Sequence, residues 1–211
     1  FQAAAKASTP IDRLALDFIP LDTLPETPRV AVTVTMDAAR MKTIAETLAG
    51  AGLELVSVGL SATALAALVA HAPAASAPKG VTLVILQKGE NLELALLEGG
   101  RLAFAHSIRL EQTEGSPPSM QPLLAELNRA LVAMSQANVG ATVSRVFVVP
   151  GVQLNPAVGE VLEKRFPGLV QRLDPRERAQ ITSLTTEEQT VALKAGAAIG
   201  RLCAIQQSGV P

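Results

Sequence analysis

No stretch of this sequence constrains the fold more than Val81 to Leu110, where three short apolar runs are separated by two polar, glycine-containing turns. Val81–Leu86 is almost continuously apolar, the pattern of a strand buried on both faces. Gln87-Lys88-Gly89-Glu90-Asn91 supplies turn chemistry, and Leu92–Leu97 resumes the strand. Glu98-Gly99-Gly100-Arg101 is a second hairpin signal, because glycine takes the positive φ that tight hairpin turns require. Leu102, Phe104 and Ile108 continue a third strand. A meander of this kind is common and carries no function by itself. Its surroundings say more.

Upstream, Arg13–Ile19 alternates Leu14, Leu16 and Phe18 with Arg13, Ala15 and Asp17, the period of a half-buried strand. Pro20, Pro25 and Pro28 mark a loop, and Val30–Met36 is a second strand by its β-branched content. Asp37 is placed as N-cap of a helix with Met41, Ile44, Ala45 and Leu48 on one face, ended by Gly50 and Gly52. Leu53–Leu60 reads as a further strand, and Ser61 as the cap of a short apolar helix through Leu65, Leu68 and Val69. This order favours an α/β unit with a mixed sheet.

Residues 71–80 are small and proline-rich without apolar period, as a linker should be. Beyond the meander, 111–119 is a polar loop around Pro117-Pro118. A long helix is expected from Ser119 to Asn138, its core stripe Met120, Leu123, Leu124, Leu127, Leu131 and Met134. Arg145–Val149 is a strand, Pro150 to Leu154 a turn, and Asn155-Pro156 a cap and first helical residue. Phe166-Pro167-Gly168 stops that helix before a short strand, Leu169–Leu173, and Asp174-Pro175. Thr185-Thr186-Glu187-Glu188 is a capping-box pattern opening a last helix with Val191, Ala195, Ala198, Ile199 and Leu202 inward. Gly196 and Gly200 on that helix admit a close neighbour. The expected domains are a partial first lobe over 1–72, a linker over 73–80 and a second lobe over 81–207. Each lobe carries strands followed by a helix and a further strand, a coarse duplication around a cleft.

Composition narrows the function classes. At 211 residues the chain can bury a real core, and 18 Lys+Arg against 19 Asp+Glu give no basic field for nucleic acid. With five Phe and no Trp or Tyr, base-stacking and aromatic sugar sites are not expected. No apolar run nears the ~20 residues of a spanning helix. The single cysteine, Cys203, excludes an internal disulfide and a cysteine zinc site, and reads as a small buried hydrophobe. The first residue is Phe1 rather than Met, so an upstream portion is expected.

Candidate chemistry is sparse. His71 and His106 have no Asp, Glu or Cys at ligand spacing. Asp12 and Asp17 read as a turn cap and a strand's polar face rather than an acid/base pair. Ser57, Ser61 and Ser107 lie in no Gly-x-Ser-x-Gly turn. Arg172, Arg176 and Arg178 make a small basic cluster beside Asp174, read as a solvated face. Lys88 and Gly89 read as a solvated hairpin tip.

The order meander, long helix, strand-turn-helix resembles the second domain of actin-like ATPases. Gly100-Arg101-Leu102-Ala103-Phe104-Ala105-His106-Ser107-Ile108 is similar to the corresponding stretch of PilM-type proteins. Arg145 to Gly151 followed by Pro156 resembles the family's adenosine loop, and Leu173-Asp174-Pro175 its Asp-Pro after the next strand. Pro10-Ile11-Asp12 with Leu16-Asp17, Ala51-Gly52-Leu53 and Val56-Ser57-Val58 resemble first-domain segments, so the likeness spans nearly the whole chain. The cytoplasmic domain of the secretion protein GspL shares this architecture. The resemblance implies an actin-like (ribonuclease H-like) two-lobed α/β fold with mixed sheets, its first lobe incomplete.

The departures shape the functional expectation. Such ATPases hold Mg–nucleotide between two Gly-rich hairpins, with an acidic residue placing the metal. The first hairpin would precede Phe1. In place of the second hairpin's opening Asp-Ile-Gly stand Leu86-Gln87-Lys88, and leucine cannot bind Mg²⁺. The adenosine loop keeps one glycine, Gly151, beside Pro150. Gly89, Glu90 and Gly151 are therefore expected only as remnants of nucleotide loops, with no cofactor unless an upstream part restores a site, and no metal. The resemblance then implies a pseudo-ATPase scaffold, cytoplasmic and peripheral at the bacterial inner membrane, in a type IV pilus or type II secretion platform. Its partner would be the cytoplasmic tail of a membrane protein, seated against Leu14, Leu16, Phe18, Val32 and Val34. Two alternatives stand beside it: an active ATPase in which Glu90 replaces the missing acid, and a subunit that oligomerises through the Ala- and Gly-rich helix 186–207.

Overall fold

The computed structural model describes residues 10–20, 31–70, 80–110, 119–137, 142–149 and 155–175. Gly151, His71, Cys203, Arg176, Arg178, the linker 73–79, the capping box at Thr185 and the last helix all lie outside these residues. Contacts divide the chain into two units, Phe1–Val58 and Gly59–Pro211.

In the first unit a single 3₁₀ turn, Ile11–Arg13, leads into strand β1, Leu14–Pro20, which pairs antiparallel with β2, Ala31–Asp37. Asp12 lies inside that turn, and Pro10 before it receives no side-chain cap, so the expected capping role of Asp12 is not what the turn uses. Asp17 instead accepts the Phe18 N–H at 2.8 Å. Helix α1, Ala38–Gly50, starts where the sequence places it: Asp37 accepts from the Ala39 and Arg40 N–H groups at 2.8 and 3.2 Å. Gly52, at φ +74°, turns the chain so that the Leu53 N–H returns to the Leu48 carbonyl at 2.9 Å. The expected strand over Leu53–Leu60 does not form. An extended segment becomes a strand only where a neighbour takes up its backbone groups, and no described strand lies beside this one.

The second unit is a mixed five-stranded sheet with helices on both faces. Its strands are β3, Val81–Lys88; β4, Asn91–Glu98; β5, Arg101–Arg109; β6, Val143–Val149; and β7, Val170–Arg172. Their order is β5-β4-β3-β6-β7, with the meander antiparallel and β3, β6 and β7 parallel. The predicted meander is therefore present, and β3 is its centre, buried from Val81 through Gln87.

Alternation on β3 divides the core into two. Val81, Leu83 and Ile85 join Leu92, Leu94, Leu96, Val146 and Val148 on one face, under helix α3, Gln121–Ala137, and helix α4, Pro156–Arg165. Val84 and Leu86 join Ala95, Leu97, Phe147 and Val149 on the other, against helix α2, Ser61–Ala70. Leu123 and Leu127 of the expected α3 stripe are fully buried.

Helix α2 packs within the second unit. It is apolar almost all round, so it must be enclosed rather than laid on a surface. Leu65 and Leu68 are completely buried against the five-stranded sheet, within the unit Gly59–Pro211. Ser61 opens the helix instead of capping it, and the Leu60 carbonyl accepts from the Thr63 hydroxyl and the Ala64 N–H. The expected duplication also fails among the described residues: the first unit is a hairpin and a helix, the second a five-stranded sheet.

Candidate functional site

In an open α/β sheet, ligands sit outside the carboxyl ends of the parallel strands, where the chain leaves neighbouring strands in opposite directions. Here that place is the end of β3 and β6. The chain leaves β3 toward β4 on one side, and leaves β6 through α4 toward β7 on the other.

Three of the residues singled out from the sequence meet here. Gly89, at φ +60°, and Glu90 form the two-residue loop closing the β3–β4 hairpin, whose last pair is Lys88 and Asn91. Glu90, the acid offered as a metal-side substitute, has its carboxylate 3.2 Å from Arg109 of β5, while its carbonyl accepts the Leu110 N–H at 2.8 Å. Lys88 pairs with Glu93 of β4 at 3.2 Å. All three residues are exposed, and the two charged ones are tied back to the meander. Leu86 does not face this end, since its side chain lies in the core beneath α2.

The residue that organises this end is Gln87, which the sequence groups with the turn. Gln87 is only 4% exposed. Its Nε2 donates to the Gly89 carbonyl at 3.2 Å, and its Oε1 accepts the Asn155 N–H at 2.9 Å. A signal for it exists: counting the alternation one step past Ile85 puts Gln87 inward, where a polar group needs partners. Asn155 in turn caps α4, accepting the Ala157 N–H on Oδ1 at 3.0 Å and the Val158 N–H on its carbonyl at 3.0 Å. Pro156 has no N–H to offer.

The second candidate is the β1–β2 hairpin. Directly opposed residues of an antiparallel pair share a face, so the register sorts the predicted partner residues. Leu16 opposes Thr35 and Phe18 opposes Thr33, whereas Val34 opposes Asp17. Leu14, Leu16 and Phe18 therefore share one face and Val34 belongs to the other, with Met36 and Ala15. Val32 opposes Ile19 in the same register. The single groove expected from Leu14, Leu16, Phe18, Val32 and Val34 resolves into two faces, because alternation separates residues that sequence proximity groups. Val34 and Met36 are half-buried, as are Met41, Ile44, Ala45 and Leu48 of α1, which lies on this hairpin. Leu16 and Phe18 are 48% and 61% exposed.

The remaining candidates stay apart. His106 of β5 lies 3.4 Å from Glu126 of α3, an approach that sequence spacing did not show, and Glu126 is held by Arg129 at 2.6 Å. No group of three metal-ligating side chains occurs among the described residues. Arg172 is exposed on β7, Ser57 is exposed, and Ser107 is exposed on β5 opposite Glu93. No helix among the described residues is long and apolar enough to cross a membrane.

No family model matches the chain, and no curated protein matches it in sequence. Solved structures do. A chain of the PilM-PilN type IV pilus biogenesis complex superposes with a TM-score of 0.67 at 19% identity, covering 94% of this chain and 68% of its own length. A Bacteroides thetaiotaomicron protein described as having an actin-like ATPase fold and unknown function gives a TM-score of 0.45 at 12% identity over 90% of this chain and 62% of its own. The mixed sheet with helices on both faces, taken with the first of these, gives the chain the actin-like fold that its sequence resembles, in the form found in the PilM-PilN complex.

Proposed function

We propose that this protein is a non-catalytic scaffold that binds the cytoplasmic tail of a single-pass membrane protein in the inner-membrane platform of a type IV pilus or type II secretion system. The observation that carries the reading is the likeness, over nearly all of the chain, to a protein solved within a PilM-PilN complex. The exposed face of Leu16 and Phe18 supports it, since an aromatic and an aliphatic side chain on a solvent-facing hairpin suit an apolar tail. The non-catalytic part draws on chemistry at the carboxyl end of β3: leucine and glutamine stand at its end, and the nearby acid, Glu90, pairs with Arg109.

Titration of labelled tail peptides from single-pass platform proteins of the same organism, read by fluorescence anisotropy, tests the reading. One tail is expected to bind with a Kd on the order of micromolar. Phe18→Ser is expected to weaken it by roughly tenfold or more, as an anchor in a small interface does. Absence of binding to every tail sinks the partner assignment, and ATP hydrolysis above background sinks the non-catalytic one.

A further inference from the structure

We infer that Gln87 is an internal tie that closes the carboxyl end of β3 onto the start of α4, taking with its own side-chain amide the hydrogen bonds a small ligand would use there. This goes beyond the scaffold reading, because a protein can lack catalysis and still hold such an end open.

A primary amide donates from one atom and accepts at another while carrying no charge. Gln87 uses both ends at once, spanning from the hairpin carbonyl of Gly89 to the backbone N–H of Asn155, 68 residues away in sequence. Ionised glutamate would lose the donor, leucine or methionine both bonds, and asparagine is a methylene too short to replace it. Burial makes the tie firm, since a buried polar group that loses its partners pays the full cost of desolvation.

The helix beyond the tie is closed as well. A helix start attracts anions because its first N–H groups are free. At α4, Pro156 has no N–H, Ala157 donates to the Asn155 side chain and Val158 to the Asn155 carbonyl. The Asn155 N–H itself is taken by Gln87. The Gln87 amide thus links the hairpin turn to the start of α4 through protein groups.

Amide hydrogen exchange by NMR on the full chain tests the tie in wild type, Gln87→Leu and Gln87→Met. The Asn155 N–H is expected to exchange at least about tenfold faster in either variant, while Val84 and Val148 in the strand interiors keep their rates. Methionine's flexibility makes the second variant usable should the first not fold. Unchanged exchange at Asn155 overturns the inference, as does an equal acceleration at Val84 and Val148, which would make Gln87 an ordinary core residue. In wild type, an excess of ATP with Mg²⁺ is expected to leave Asn155 and Glu90 unaffected, and new protection there overturns the inference. None of these readouts depends on whether a tail peptide binds.

Discussion

Gly80 shows how far one residue can be determined by its backbone. It sits at φ +136°, and a Cβ built there would meet the Thr142 carbonyl at 2.9 Å and the Ser144 side chain at 3.0 Å. That carbonyl cannot retreat freely, because it accepts the Val81 N–H at 2.9 Å. Gly80→Ala is expected to destabilise the second unit by about 2–3 kcal/mol, from strain and clash together, measured as a lower urea midpoint with unchanged slope. A shift near zero would mean the turn rearranges. Asn155→Ala should cost about 1 kcal/mol by removing the cap of α4, visible in the same experiment. Asn155 and Pro156 were legible from sequence because capping depends on neighbours in the chain. Gln87 was not, because its partner lies 68 residues away.

Among the elements, β3 bears the most. Every residue from Val81 to Gln87 is buried, and the strand contributes to both cores. Ile85→Ala is expected to cost roughly 2–5 kcal/mol, read by thermal or urea unfolding, since a fully buried side chain leaves a cavity its packed neighbours cannot fill. A loss under about 1 kcal/mol would show a core able to collapse. Strand β5 is the outer strand of the described sheet and carries features that discourage stray pairing: Arg101 and Arg109 at its ends, and a register shift opposite Leu96 and Leu97 that leaves Ala103 without a ladder partner. Meander, α3 and α4 were readable because their periods are strong. The strand expected over Leu53–Leu60 was not, since its apolar residues satisfy the pattern whether or not a neighbour exists.

At the scale of the whole molecule the two units differ in kind. The first has no fully buried residue among its described side chains, while the second encloses two cores. Amides of α1 are therefore expected to exchange about a hundredfold faster than those of α3, because local opening of α1 exposes little apolar surface. Equal protection would show that the first unit is stabilised by more than its own core. The sequence by itself determined the α/β class, the meander, the caps at Asp37 and Asn155, and the resemblance to PilM-type proteins, all carried by residues near one another in the chain. Only the tertiary structure decided that α2 belongs to the second unit, that Leu16 and Phe18 part from Val34, that Glu90 is spent on Arg109, and that Gln87 spans two loops. Each of those depends on which segments meet in space, and local periodicity holds no record of the meeting.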